Sequence, residues 1–163
     1  MNYDAPPPYS DPVDRPHQQQ QPHQIYHGTV PQGTVVCYGN HIALKHNMTG
    51  RYLSSRDRKY ATGSGQQEVF ANRWHPDPSH DFWIVIPALN KHHQPGDPVQ
   101  YNHIIRLKHT ETRRNLHSHQ GFRSPITGQQ EVTAFGDDDA SDENDHWRVE
   151  RFGYQEEPQH GGV

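Results

Sequence analysis

The sequence predicts an all-β protein built from two copies of one unit, and three observations carry that expectation. No window of helical length holds a continuous apolar stripe. Short apolar clusters are instead bounded by turn residues, and 14 prolines with 13 glycines in 163 residues suit a turn-rich chain. The third observation is an internal repeat. At an offset of 63 residues, 17 of the 39 positions from 33 to 71 recur identically, where chance gives about two or three.

The chain opens on a stretch of different texture. Residues 1–30 hold six prolines and the run Gln18 to Gln21, too little apolar surface to offset the entropy of ordering, so a disordered Pro/Gln/His-rich tail is expected. Within it Pro6-Pro7-Pro8-Tyr9 fits Pro-Pro-x-Tyr, a polyproline II segment of the kind that docks in the aromatic groove of a WW domain. His17, His23 and His27 have a spacing that low-complexity drift explains better than metal chelation.

From Gly33 onward the strands begin. In the first copy, residues 33–87, Val35-Val36-Cys37-Tyr38 and Ile42-Ala43-Leu44 are apolar clusters bounded by Gly39-Asn40 and Asn47. Tyr52-Leu53, Val69-Phe70 and Phe82 to Ile86 supply three further strands. The second copy, residues 96–151, repeats them at Ile104 to His109, Asn115 to Ser118, Glu131 to Phe135 and Trp147 to Arg151. Leu44, His46, Leu53, Gln67 and Val69 fall under Leu107, His109, Leu116, Gln130 and Val132. One added residue then brings Asp81-Phe82-Trp83 under Asp145-His146-Trp147. The folded region is therefore expected over 31–152, with 153–163 a polar end.

Hydrophobic, x, Leu-Lys-His, then Leu-x-Ser, then Gly-Gln-Gln-Glu-Val, then Asp-x-Trp is a pattern that resembles the MIR repeat. That repeat occurs in protein O-mannosyltransferases, stromal cell-derived factor 2 proteins, and the inositol trisphosphate and ryanodine receptors. The resemblance is closest to the first two groups, through Leu116 to His119, Gln129 to Val132 and Asp145 to Trp147. It implies a β-trefoil, three four-stranded units around a pseudo-threefold axis, of which two units are recognisable in this chain. A truncated sequence or self-association, giving a homo-oligomer, is then expected in preference to an open monomer, because open sheet edges invite aggregation. The membrane region that carries transfer chemistry in the mannosyltransferases has no counterpart in this sequence, so no catalysis follows from the resemblance.

Composition excludes several classes. A net charge of -4 over 15 basic and 19 acidic side chains gives no field for a phosphate backbone, so nucleic-acid binding is not expected. No apolar run approaches the roughly 20 residues that span a bilayer. Residues 1–24 show no basic start followed by an apolar stretch, so a cytoplasmic protein is expected, although the resemblance points to relatives at the endoplasmic reticulum. The single cysteine, Cys37, allows no intramolecular disulfide and reads as a small buried strand residue. Asn47-Met48-Thr49 is a formal glycosylation sequon, usable only after translocation.

The residues that could carry chemistry are few. In His117-Ser118-His119 strand alternation puts both imidazoles on one face and Ser118 on the other, which opposes a Ser-His pair. A structural polar network is favoured there over ligand contact, and both over a metal. Lys45-His46 and Lys108-His109, like Gln66-Gln67-Glu68 and Gln129-Gln130-Glu131, recur at equivalent places, which marks structure. Trp83 and Trp147 read as core plugs, and the acidic loop with Asp137, Asp138, Asp139, Asp142 and Glu143 as solvated, because it lacks a calcium-loop spacing. The expected function is a non-catalytic module for a glycan or polypeptide, without cofactor, tested first at Arg114, His117, His119, Gln129 and Gln130. The alternative is an adaptor whose tail recruits a WW-domain protein through Pro6, Pro7 and Tyr9.

Overall fold

The computed structural model describes residues 35–124 and 126–151. Eight strands form one curled antiparallel sheet. In the first unit they are β1 (His41–Ala43), β2 (Leu53–Lys59), β3 (Gln67–Ala71) and β4 (Phe82–Pro87). In the second they are β5 (Ile104–His109), β6 (Asn115–His117), β7 (Thr133–Phe135) and β8 (Trp147–Arg148). The sheet order is β1-β4-β5-β6-β7-β3-β2, with β8 on β5. Each unit thus pairs its first strand with its own fourth, while β4 to β5 and β3 to β7 join the two units.

The core follows from alternation. Trp83 and Val85 of β4 are buried while Phe82 and Ile84 are half-buried, and Ile105 and Leu107 of β5 face them. Tyr38, Leu116 and Ala134 complete the cluster, with Leu44, Leu53, Val69, Val132, Trp147 and Val149 packed at its margin. The turns repeat as well as the strands. Gly50 and Arg113 occupy the same place in the two units with φ 66° and 61°, and their N–H groups donate to the carbonyls of His46 and His109 at 2.8 and 2.9 Å.

Where the sequence leads to longer or additional strands, local chemistry shortens them. Val35 to Tyr38 is no strand: Cys37 makes one isolated bridge to Pro98, Val35 and Val36 are exposed, and Cys37 is half-buried rather than buried. Proline lacks the N–H that would extend the ladder. β6 stops at His117 and β7 begins only at Thr133. Ser118 Oγ donates to the Glu131 carbonyl at 2.9 Å as Ser55 Oγ does to the Glu68 carbonyl at 2.8 Å, but where β2 runs on to Lys59 the second hairpin keeps only an isolated bridge from Arg123 to Gln130. The acidic loop is not simply solvated either. It ends in a single 3-10 turn, Glu143–Asp145, capped by Asp142. No helix among the described residues is long and apolar enough to cross a membrane.

Candidate functional site

Each unit is closed by the same device. The Asp of Asp-x-Trp is fully buried and gathers donors. Asp81 accepts from the Ser54 hydroxyl, from Asn72 Nδ2 at 3.1 Å and from the Asp77 N–H at 2.7 Å. Asp145 accepts from Asn115 Nδ2 at 3.2 Å, Ser141 Oγ at 2.6 Å and the Asp142 N–H at 3.2 Å, and its Oδ1 lies 2.8 Å from His117 Nδ1. His117 therefore stands where the first unit has Ser54. The tryptophan two residues on donates its indole N–H across the unit, Trp83 to the Leu53 carbonyl and Trp147 to the Leu116 carbonyl, both at 2.9 Å.

Between the units runs a seam. Trp83 faces His109, Ile84 faces Lys108 and Val85 faces Leu107 in the β4 to β5 ladder. The indole and imidazole centroids are 5.0 Å apart. His109 Nδ1 accepts from the Thr112 N–H at 3.3 Å, which leaves the proton on Nε2 to donate to the His80 carbonyl at 3.0 Å. Burial holds the His109 pKa below its ordinary value, so this neutral tautomer persists. Gln67 Nε2 crosses to Thr112 Oγ1 at 2.8 Å and Thr110 N–H donates to the Phe82 carbonyl at 2.9 Å. Lys108 is buried as well; its ammonium reaches the Arg113 and Asp137 carbonyls and Asp138.

Leu44-Lys45-His46 is the corresponding segment of the first unit, just past the end of β1 and held by an isolated bridge from Lys45 to Tyr52, and among the described residues no strand pairs with its outer edge. Two inner contacts are kept. His46 N–H donates to Arg51 O at 2.7 Å as His109 N–H does to Arg114 O, and His46 Nδ1 lies 2.8 Å from Thr49 Oγ1 as His109 Nδ1 lies 2.9 Å from Thr112 Oγ1. Yet Lys45 and His46 are exposed where Lys108 and His109 are buried. The counterpart gap lies on the second unit: Gln130 is exposed where Gln67 is buried, Trp147 is only half-buried, and Tyr101 is 62% exposed against 2% for Tyr38.

Two clefts of about 430 Å³ each mark these two bare walls. One is apolar, lined by Leu44, Leu53, Val69, Phe70, Ala71 and Val132 beside Lys45 and His46. The other is lined by Ser118, Gln129, Gln130, Asn144, His146 and Trp147. The sequence places Gln129 and Gln130 in a candidate site, and they do line this second wall. His117 is buried on Asp145, and its ring stands 5.1 Å from that of His119, which in turn meets Phe122 edge-on. Arg114 contributes its carbonyl to His109. Arg114, His117 and His119 thus do not join Gln129 and Gln130 in one cleft. Pro6, Pro7 and Tyr9 lie outside the described residues.

Sequence reasoning missed the acid partner of His117, because 28 residues separate it from Asp145. The signal was present in the repeat, since Asp-x-Trp recurs with the same burial. His117, Asp142 and Asp145 also bring ligand atoms within 4.8 Å of one another. Asp145 spends both oxygens on protein donors, just as Asp81 does beside Ser54, so a structural role accounts for the cluster. Tyr38, stacked on His93 at 4.2 Å and 3.1 Å from His103 Nδ1 through its hydroxyl, is a further cluster the sequence did not reveal.

Comparison with known proteins agrees with this architecture. Residues 55–162 match the family described as MIR domain. The chain is 43% identical over 118 residues to a stromal cell-derived factor 2-like protein of Arabidopsis thaliana, covering 72% of this chain and 53% of that protein. The crystal structure of the SDF2-like protein from Arabidopsis thaliana superposes with a TM-score of 0.70 at 41% identity, over 75% of this chain and 66% of that one. The Saccharomyces cerevisiae protein O-mannosyltransferase Pmt1-Pmt2 complex, bound to its sugar donor, matches with a TM-score of 0.60 at 29% identity, over 77% of this chain but 18% of that one. The chain spans about half the length of the curated stromal cell-derived factor 2 relatives it matches.

Proposed function

The chain belongs to the MIR domain family, and from that premise we propose that it is a non-catalytic module that takes an extended polypeptide into its open wedge. The observation that carries this reading is the bare outer edge of Leu44-Lys45-His46 beside an apolar cleft. A strand edge offers alternating N–H and C=O groups that an added strand satisfies, while pockets on either side select its side chains. The hydrogen-bonding groups and half-open indole that suit a glycan stand on the other wall, at Ser118, Gln129, Gln130, Asn144 and Trp147, whereas the cleft beside Lys45 offers Leu44, Leu53, Val69, Ala71 and Val132 with Tyr52 and Phe70 to apolar side chains.

The side chains also argue against catalysis. The acid and imidazole pair of Asp145 and His117 is buried, and the adjacent Ser118 Oγ is directed to the Glu131 carbonyl. The hydroxyl that does touch the pair, Ser141 Oγ, donates to Asp145 at 2.6 Å, so it faces the carboxylate and not an imidazole that could take its proton.

The test is a binding assay with the full chain. A reduced, alkylated unfolded protein, its folded form, and a mannose oligosaccharide are titrated separately by fluorescence anisotropy. The unfolded polypeptide should bind, and Leu44→Asp should weaken it by tenfold or more. Saturable binding of the oligosaccharide that Leu44→Asp leaves unchanged would overturn the polypeptide reading.

A further inference from the structure

The wedge has an occupant written into the molecule itself. The two units are copies, and one Leu-Lys-His segment is covered while the other is bare. What covers Leu107-Lys108-His109 is β4, the strand that follows Asp81, in the register Trp83 to His109, Ile84 to Lys108 and Val85 to Leu107. The bare segment presents the same side chains, and Lys45 bridges to Tyr52 as Lys108 pairs with Asn115. His46 Nδ1 lies 2.8 Å from Thr49 Oγ1 as His109 Nδ1 lies 2.9 Å from Thr112 Oγ1, and His46 Nε2 has no hydrogen-bond partner among the described residues.

Resting on the polypeptide reading above, we propose that the wedge is selective for a segment of the form Asp-aromatic-Trp-aliphatic-aliphatic supplied by another polypeptide. The incoming tryptophan packs on the His46 imidazole, and the two residues after it pair with Lys45 and Leu44. The carbonyl three residues before the tryptophan accepts from His46 Nε2, repeating the bond that the His80 carbonyl receives from His109. The aliphatic side chain opposite Leu44 takes the place that Val85 holds opposite Leu107.

A second copy of this chain is the less suitable source. Its β4 already lies between β1 and β5, so a copy must open before donating that strand. Its β8 follows Trp147 with Arg148, a charged residue where the segment calls for an aliphatic one.

The probe is a synthetic peptide with the sequence of residues 77–87, Asp-Pro-Ser-His-Asp-Phe-Trp-Ile-Val-Ile-Pro, carrying flanking lysines for solubility. It is titrated into the full chain by calorimetry, beside its Trp→Ala form and a scrambled form, with light scattering on the same samples. The native-sequence peptide should bind at one site, with Trp→Ala and scrambling each weakening it by tenfold or more. His46→Ala in the protein should weaken the native peptide by about the same factor, because the exposed His46 leaves the fold intact when removed. Equal binding of native and scrambled peptides, abolished by Leu44→Asp, would overturn the sequence selectivity and leave the polypeptide reading standing. Binding of none of the three would overturn both. A concentration-dependent dimer that excludes the peptide would overturn the choice of another polypeptide as the source.

Discussion

The seam between the two units and the wedge beyond them are built from the same Leu-Lys-His sequence and differ chiefly in what lies on it. At the seam a leucine, a lysine and a histidine are buried under β4. At the wedge the same three residues are half-buried or exposed. Inside each unit the bonds are duplicated nearly atom for atom, as the Trp83 and Trp147 indole bonds of 2.9 Å illustrate. The lesson is that the repeated motif encodes two separable things: bonds that close a unit, and a surface that joins one unit to the next. Only the first is satisfied twice.

The largest expected effect separates the two tryptophans. Trp83→Ala should cost about 3–5 kcal/mol, since a fully buried indole leaves a cavity at the seam. Trp147→Ala should cost roughly half as much, because its outer face is already bare. Urea unfolding with each variant measures the difference, and equal losses would break the contrast.

The aspartates should behave in the opposite manner. Asp81→Ala and Asp145→Ala each strand several buried donors, so each should cost about 2–3 kcal/mol by the same urea assay. Near equality here, beside inequality at the tryptophans, would sharpen the division between closing a unit and joining units.

Smaller effects follow for the histidines. His109→Ala should lose about 1–2 kcal/mol, removing a buried donor to the His80 carbonyl, while exposed His46→Ala should change stability by less than about 0.5 kcal/mol. The smallest effect is a pH dependence. Because burial lowers the His109 pKa in the fold, the unfolded chain takes up its proton first as pH falls. Stability is thus retained above the ordinary value of 6.5 and declines as pH falls from there towards the lowered native value. Thermal unfolding of the native chain and of His109→Gln between pH 8 and 5 should show a shallower decline in the variant.

Much of the fold was legible because the repeat supplies its own alignment. Ile104 to His109 alternates and is flanked by turns, and it forms a strand with those bounds. Strand ends were less legible, since the isolated bridges of Cys37 to Pro98 and of Arg123 to Gln130 rest on contacts that no local pattern displays. The candidate site was read least well. His117 and His119 attract attention as a tripeptide, but long-range folding buries one of them on Asp145. Lys45 and His46 were passed over because repetition suggests structure. Their importance lies in being the copy without a cover, and burial, unlike identity, is not written in the repeat.

The most direct test compares two backbone amides. His46 and His109 donate inward, to Arg51 and Arg114, so by strand alternation Lys45 and Lys108 direct their N–H groups to the other side. Lys108 meets Ile84 of β4 there, whereas Lys45 meets the wedge. Residue-resolved hydrogen exchange on the full chain should find the Lys108 amide protected by at least a hundredfold more than the Lys45 amide, with Lys45 exchanging close to the rate of an unstructured chain. Equal protection of the two would mean that the first unit's Leu-Lys-His strand is already covered, and the open wedge would not exist.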